Sequence, residues 1–200
     1  MQHAGRIAVI ACAFALAACS SGGASRYGAG DPSLSAPNPA GGPISPFLTG
    51  GHAVLQAFDA IESRSGKPLR VTSLSSDGTN GLSVDVQEPD HHVNVDRYVV
   101  SPDGTLAGPT PVRLQSLDGR PITAAIVDYR AFDPRAVGFE RLDGTARAAI
   151  AASRYPDARV AEWEFGGVHS DDRRFLYLES ARARPAAELG PNLQVLHMHY

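Results

Sequence analysis

Apolar positions divide the chain into stretches of different period. From Ile7 to Ala18 they run unbroken for about a dozen residues, short of the roughly 20 that a membrane-crossing helix needs. From Ser20 to about Ile44 the chain is mainly Ser, Gly, Ala, Pro and Asn with neither helical nor strand periodicity, which predicts a tether that cannot order itself. Val54, Leu55, Phe58 and Ile61 then recur at helical spacing within His52 to Arg64, and Ser65-Gly66 with Pro68 supplies the stop. A strand is predicted from Leu69 to Leu74, followed by a turn over Ser76-Asp77-Gly78 and Asn80-Gly81. Leu82, Val84 and Val86 alternate with Ser83, Asp85 and Gln87, the signature of a sheet with one wet face. A third strand, His92 to Val100, is closed by Ser101-Pro102-Asp103-Gly104, where proline presets φ and glycine accepts a positive one.

A similar order follows later. Ala146 to Ser153 predicts a helix ending near Tyr155-Pro156-Asp157. In Arg159 to Phe165, Ala161, Trp163 and Phe165 alternate with Val160, Glu162 and Glu164, and Gly166-Gly167 ends the strand. Phe175 to Ser180 and Leu193 to Tyr200 are the remaining strands. Between the halves, Ile122 to Asp128 fits helix or strand, and Phe132-Asp133-Pro134 reads as a loop. The pattern predicts an α+β fold of two helix-plus-antiparallel-meander units, about 51–111 and 140–200, with helices packed on one sheet face of a single domain spanning 45–200.

Composition, 43% hydrophobic and 20% charged, fits a globular protein with an ordinary core. The opening segment differs: Arg6 precedes the apolar run, as in the charged and apolar regions of an export signal. Leu16-Ala17-Ala18-Cys19-Ser20 resembles the lipobox of bacterial lipoproteins. That resemblance implies a signal peptide over 1–18, acyl chains such as palmitate on Cys19, a lipidated linker over 19–44 and attachment to a membrane of the cell envelope. Ser20 after the cysteine resembles the pattern sorted to the outer membrane, facing the periplasm. Cys12 and Cys19 are the only cysteines, so a lipidated mature chain would have no thiol for a disulfide, metal or nucleophile. The formal charge of −3 becomes −4 when Arg6 leaves, Lys67 is the only lysine, and no basic stripe is present, which argues against nucleic acid as a partner.

A second resemblance rests on Val95-Asp96-Arg97-Tyr98-Val99-Val100-Ser101-Pro102-Asp103-Gly104-Thr105-Leu106, with a helix ending as in Ala149 to Pro156 and a strand like Arg159 to Phe165. Over residues 52 to 108 and 143 to 182 the chain is similar to PepSY-like modules of exported bacterial proteins, although the second half lacks the closing Tyr and Asp-Gly. The resemblance implies a non-catalytic module that binds an envelope protein or the cell wall. It carries no catalytic residues and no cofactor.

The side chains that could hold a metal are histidines. His197 and His199 stand at i and i+2, on one face of a strand, and His91, His92 or His169 could supply a third ligand for a periplasmic metal-binding protein or small enzyme. Alternation assigns Leu196, Met198 and Tyr200 to the core side of that strand and the histidines to solvent. No G-x-S-x-G, S-x-x-K or phosphate-loop motif is present. Glu162 and Glu164 fall opposite Trp163, on the wet side. Trp163, Phe165, Phe175 and Tyr177 could form an aromatic binding patch, or they could pack as core beneath the second helix.

Overall fold

The computed structural model describes residues 27–28, 30–38, 41–114, 121–166 and 174–200. The signal segment, Cys19 and His169 lie outside them. Helix α1 (Gly51–Ser65) buries Val54, Ala57, Phe58 and Ile61 and stops at Gly66, whose left-handed backbone lets its N–H bond back to the Glu62 carbonyl. Strands β1 (Val71–Asp77), β2 (Gly81–Gln87), β3 (Val95–Val100) and β4 (Leu106–Pro111) follow as an antiparallel meander. Helix α2 (Ala124–Arg130) and two 3-10 turns, Pro134–Val137 and Phe139–Arg141, lead into helix α3 (Leu142–Ala152). A second meander then comprises β5 (Arg159–Gly166), β6 (Arg174–Glu179), β7 (Ala186–Leu189) and β8 (Val195–His199).

The two meanders meet through antiparallel β1 and β5, giving one eight-stranded sheet of order β4-β3-β2-β1-β5-β6-β7-β8. The fold is α+β. Each meander has four strands where three were expected. Strand β4, Leu-Ala-Gly-Pro-Thr-Pro, carries two prolines, and β7 is only four residues long, so neither gives the alternation that marks a strand. The region open to helix or strand is helical, and its Val127 is fully buried.

One continuous core lies between the helices and one sheet face. Phe139 joins the two halves, with ring centroids 5.7 Å from Phe58, 5.4 Å from Trp163 and 5.4 Å from Phe165. Trp163 is completely buried and donates its indole N–H to the Phe47 carbonyl at 3.0 Å, so the polar edge of the ring is satisfied.

Two expectations from simple alternation are corrected by β-bulges. In β5 the register shifts between Val160 and Glu162, where Val160 faces Leu178 and Glu162 faces Tyr177. The extra residue, Ala161, lets Val160 join Trp163 and Phe165 in the core, although it stands at the opposite parity. In β8 the shift falls where Glu188 faces His197 and Leu189 faces Val195. Val195 and Met198 therefore pack on the core, while Leu196 is 49% and Tyr200 64% exposed.

Among its described residues, the stretch up to about Ile44 that was expected to be disordered also needs correction. Tyr27, Leu34, Ser35 and Ala36 are buried on the domain. Ser35 bridges Val160 in parallel, with Ala36 N–H donating to the Val160 carbonyl at 2.7 Å and Val160 N–H to the Leu34 carbonyl at 2.7 Å. Tyr27 stands edge-on to Phe47, and Asp31 pairs with Arg147 on α3 at 2.6 Å. Gly30 and Gly50 cross so closely that a Cβ on either would strike the other's backbone. A few apolar residues among glycines and prolines have no period, yet each finds a separate pocket.

Candidate functional site

The sheet face away from α1 and α3 carries the polar side chains of the alternating strands, and its two halves differ. On the β1–β4 side, Asp85 receives Nε–H and Nη2–H from Arg97 at 2.7 and 2.8 Å, a two-point pair with the Asp85 side chain only 10% exposed. Hydrogen bonding to Asp85 raises the Arg97 pKa above its ordinary value. Gln87 donates to Asp128 of α2 at 2.7 Å and to the His92 carbonyl at 2.9 Å. Arg70 reaches the Asp128 and Ala131 carbonyls, and Phe132 bridges Val71. Helix α2 is thus fastened across this side. Its Asp128 carboxyl is held below the usual range, chiefly by the Gln87 bond and further by His92.

On the β5–β8 side Phe175 and Tyr177 lie at i and i+2 of β6, with ring centroids 5.9 Å apart. Cross-strand register sets Phe175 opposite Glu164 and Tyr177 opposite Glu162 on one flank, and Phe175 opposite Glu188 on the other. Tyr177 donates its hydroxyl to Glu164 at 2.8 Å. Burial, and then the Glu164 carboxylate, push the Tyr177 pKa up to about 12. Phe175 also meets the His199 ring edge-on at 5.8 Å, and His199 Nε2 lies 3.2 Å from Glu188. Glu162 pairs with Arg184 at 3.3 Å; burial raises its pKa, Arg184 opposes that, and Glu164 and Asp77 add to it. The result is an aromatic pair flanked by Glu162 and Glu164 on one side and by Glu188 on the other, able to stack on a flat or apolar group while the carboxylates accept hydrogen bonds.

The structure splits the predicted aromatic group. Trp163 and Phe165 belong to the core, and Phe175 and Tyr177 to the opposite face. Glu162 and Glu164 do lie opposite Trp163, engaged by Arg184 and Tyr177. Among the described residues the predicted histidines do not converge. His91 pairs with Glu88 and His92 with Asp128, by the β2–β3 turn. His197 and His199 stand on β8, five strand spacings or about 24 Å from β2. Among the described residues no group of three His, Cys, Asp or Glu side chains is placed to hold a metal ion, and no helix is long and apolar enough to cross a membrane. Sequence reasoning missed the role of Asp128 and α2 as a cover, for which a seven-residue helix gives little signal, and the role of Arg184, which stands in the β6–β7 connection.

No known family profile matches the chain, and no curated protein matches it in sequence. Its fold is similar to the crystal structure of a protein named "putative lipoprotein (CD1622)" from Clostridium difficile 630, with a TM-score of 0.52 and 11% identity over 73% of this chain and 91% of that one. At that identity the similarity is one of fold.

Proposed function

We propose that this protein is a lipid-anchored lipoprotein of the cell envelope, held through Cys19 in the outer membrane, whose domain binds an envelope protein or the cell wall without catalysing a reaction. The binding reading rests on the half-buried ridge of Phe175 and Tyr177 between Glu162, Glu164 and Glu188, on the half of the sheet that no described helix covers. The lipobox-like segment ending at Cys19 supports the anchor, and the similarly folded protein from Clostridium difficile, by its name, is in keeping with it. A helix followed by an antiparallel meander, occurring on either side of the β1–β5 junction, supports related units of the PepSY-like kind.

Two measurements test this. Mass spectrometry of the mature chain should find acyl groups on Cys19 and no residue before it; an unmodified thiol there removes the anchor. The acylated chain should then be retained on purified cell-wall sacculi or by solubilised envelope proteins, and a Phe175→Ala, Tyr177→Ala variant that melts as a folded protein should be released. Equal retention of the variant would remove the ridge from the binding role.

A further inference from the structure

The two ends of α2 are held to the molecule unequally. At its C-terminal end Phe132 and Val71 exchange two backbone hydrogen bonds, each of 2.9 Å, and Arg70 donates to the Asp128 and Ala131 carbonyls at 3.3 and 3.0 Å. The Phe132 ring also stands against Gly166, where a Cβ would come within 3.0 Å of it. At the other end the N-cap residue, Thr123, makes no side-chain cap bond among the described residues. Pro121 and Ile122, which lead into the helix, line an open cavity of about 620 Å³ together with Val95 and Val112. Midway, Asp128 accepts from Gln87 at 2.7 Å and lies 2.8 Å from His92 Nδ1.

Little burial supports the helix between these points. Seven residues are too few for a helix to keep its shape unaided. Ala124, Ala125, Ile126 and Tyr129 are exposed, the last at 84%. Val127 is its one buried side chain, and it stands apart from the continuous core that α1 and α3 seal. Separating α2 from the sheet therefore exposes one valine and frees the Asp128 contacts, with every strand pairing left intact. A segment attached so lightly opens far more often than the whole domain unfolds.

We infer that α2 is a hinged cover: its N-terminal end swings off the sheet about the Phe132–Val71 bridge while all eight strands stay paired, and the Asp128 contacts with Gln87 and His92 hold it shut. Opening releases Gln87, which is 3% exposed when closed, to the outward face beside the Asp85–Arg97 pair. The accessible face then extends over both halves of the sheet. That extension bears on binding through the reading of this face given above; the motion itself does not depend on it.

Native-state hydrogen exchange of the full chain in detergent tests the cover, under conditions where exchange follows the opening equilibrium. The amides of Ile126 and Val127, which donate to the Thr123 carbonyl, should exchange about a hundredfold or more faster than those of β1 and β5, at a rate that low denaturant leaves unchanged. The Phe132 amide, at the hinge, should exchange with the strands. Ile61→Val, which weakens the core under α1, should speed the strand amides by about fivefold and leave the α2 amides as they were. Asp128→Ala, confirmed as folded by thermal melting, should speed the α2 amides by about tenfold or more. Exchange of α2 only together with the strands, or quickening of both in Ile61→Val, overturns the cover. So does α2 exchange at the rate of an unfolded chain, which leaves no closed state. A Phe132 amide that opens with α2 overturns the hinge, and a folded Asp128→Ala variant with unaltered α2 exchange overturns the latch. Retention on sacculi is measured separately, so losing the binding reading would leave these outcomes as they stand.

Discussion

The β1–β4 and β5–β8 halves of the sheet share a core face and differ on the other. In the first half the polar face is consumed internally: Asp85 is spent on Arg97, Gln87 and Arg70 hold α2, and Asp128 receives both Gln87 and His92. In the second half the matching surface carries two aromatic rings, three carboxylates and a histidine, paired with one another and with Arg184. Two meanders of similar topology therefore present different surfaces. A short helix over one face turns its polar groups into structure, whereas the other face carries no helix among the described residues.

Substitutions can break or sharpen this contrast. The largest effect should come from the joint that serves both halves: Trp163→Ala removes a fully buried ring and its bond to Phe47, with an expected loss of about 3–5 kcal/mol in denaturant titration. Both halves should melt in one transition. Next is Asp85→Ala, which strips the half-exposed Arg97 of its carboxylate and should lower stability by about 1–3 kcal/mol.

Tyr177 gives a smaller and pH-dependent effect. Its phenol is raised from its ordinary 10.0 to about 12, so the folded state favours the neutral form. That stabilisation is complete below pH 10 and is lost as pH climbs through about 12. The melting-temperature difference between the native chain and Tyr177→Phe should narrow across that interval, and a constant difference would remove the hydroxyl from the account. The smallest effect is expected at Glu188→Ala on the bare half, where an exposed pairing with His199 should be worth under about 0.5 kcal/mol. A cost similar to that of Asp85→Ala would erase the distinction between the halves.

Where the sequence has a clean period, the fold was legible. The alternation of β2 and the 3.6-residue spacing and glycine stop of α1 predicted both elements to within a residue or two. What period could not convey were single-residue insertions. Ala161 and Leu196 each shift a strand's parity, and a bulge has no composition of its own, so Val160 was assigned to the wrong face and Leu196 to the core. Short or proline-bearing strands were missed for the related reason that β4 and β7 are held by their neighbours rather than by their own preferences. For the candidate site, sequence reading named Phe175, Tyr177, Glu162 and Glu164 but could not separate the first two from Trp163 and Phe165, because which face a ring occupies depends on cross-strand register. The histidines were visible as types, and only topology showed that β2 and β8 lie far apart.

The docking of Tyr27, Leu34 and Ala36 on the domain changes how the proposed anchor would act. As free spacer from Cys19, the 25 or so residues before the domain could pay out to some 85–90 Å at full extension. With Tyr27 seated on Phe47, eight residue steps are left, at most about 28 Å. Under that proposal the mooring would be short and the domain would ride near the bilayer surface, tethered from the side where Gly28 bonds Gln56. Any molecule that engages the bare half of the sheet would then have to come to the membrane, because this protein could not reach far out to meet it.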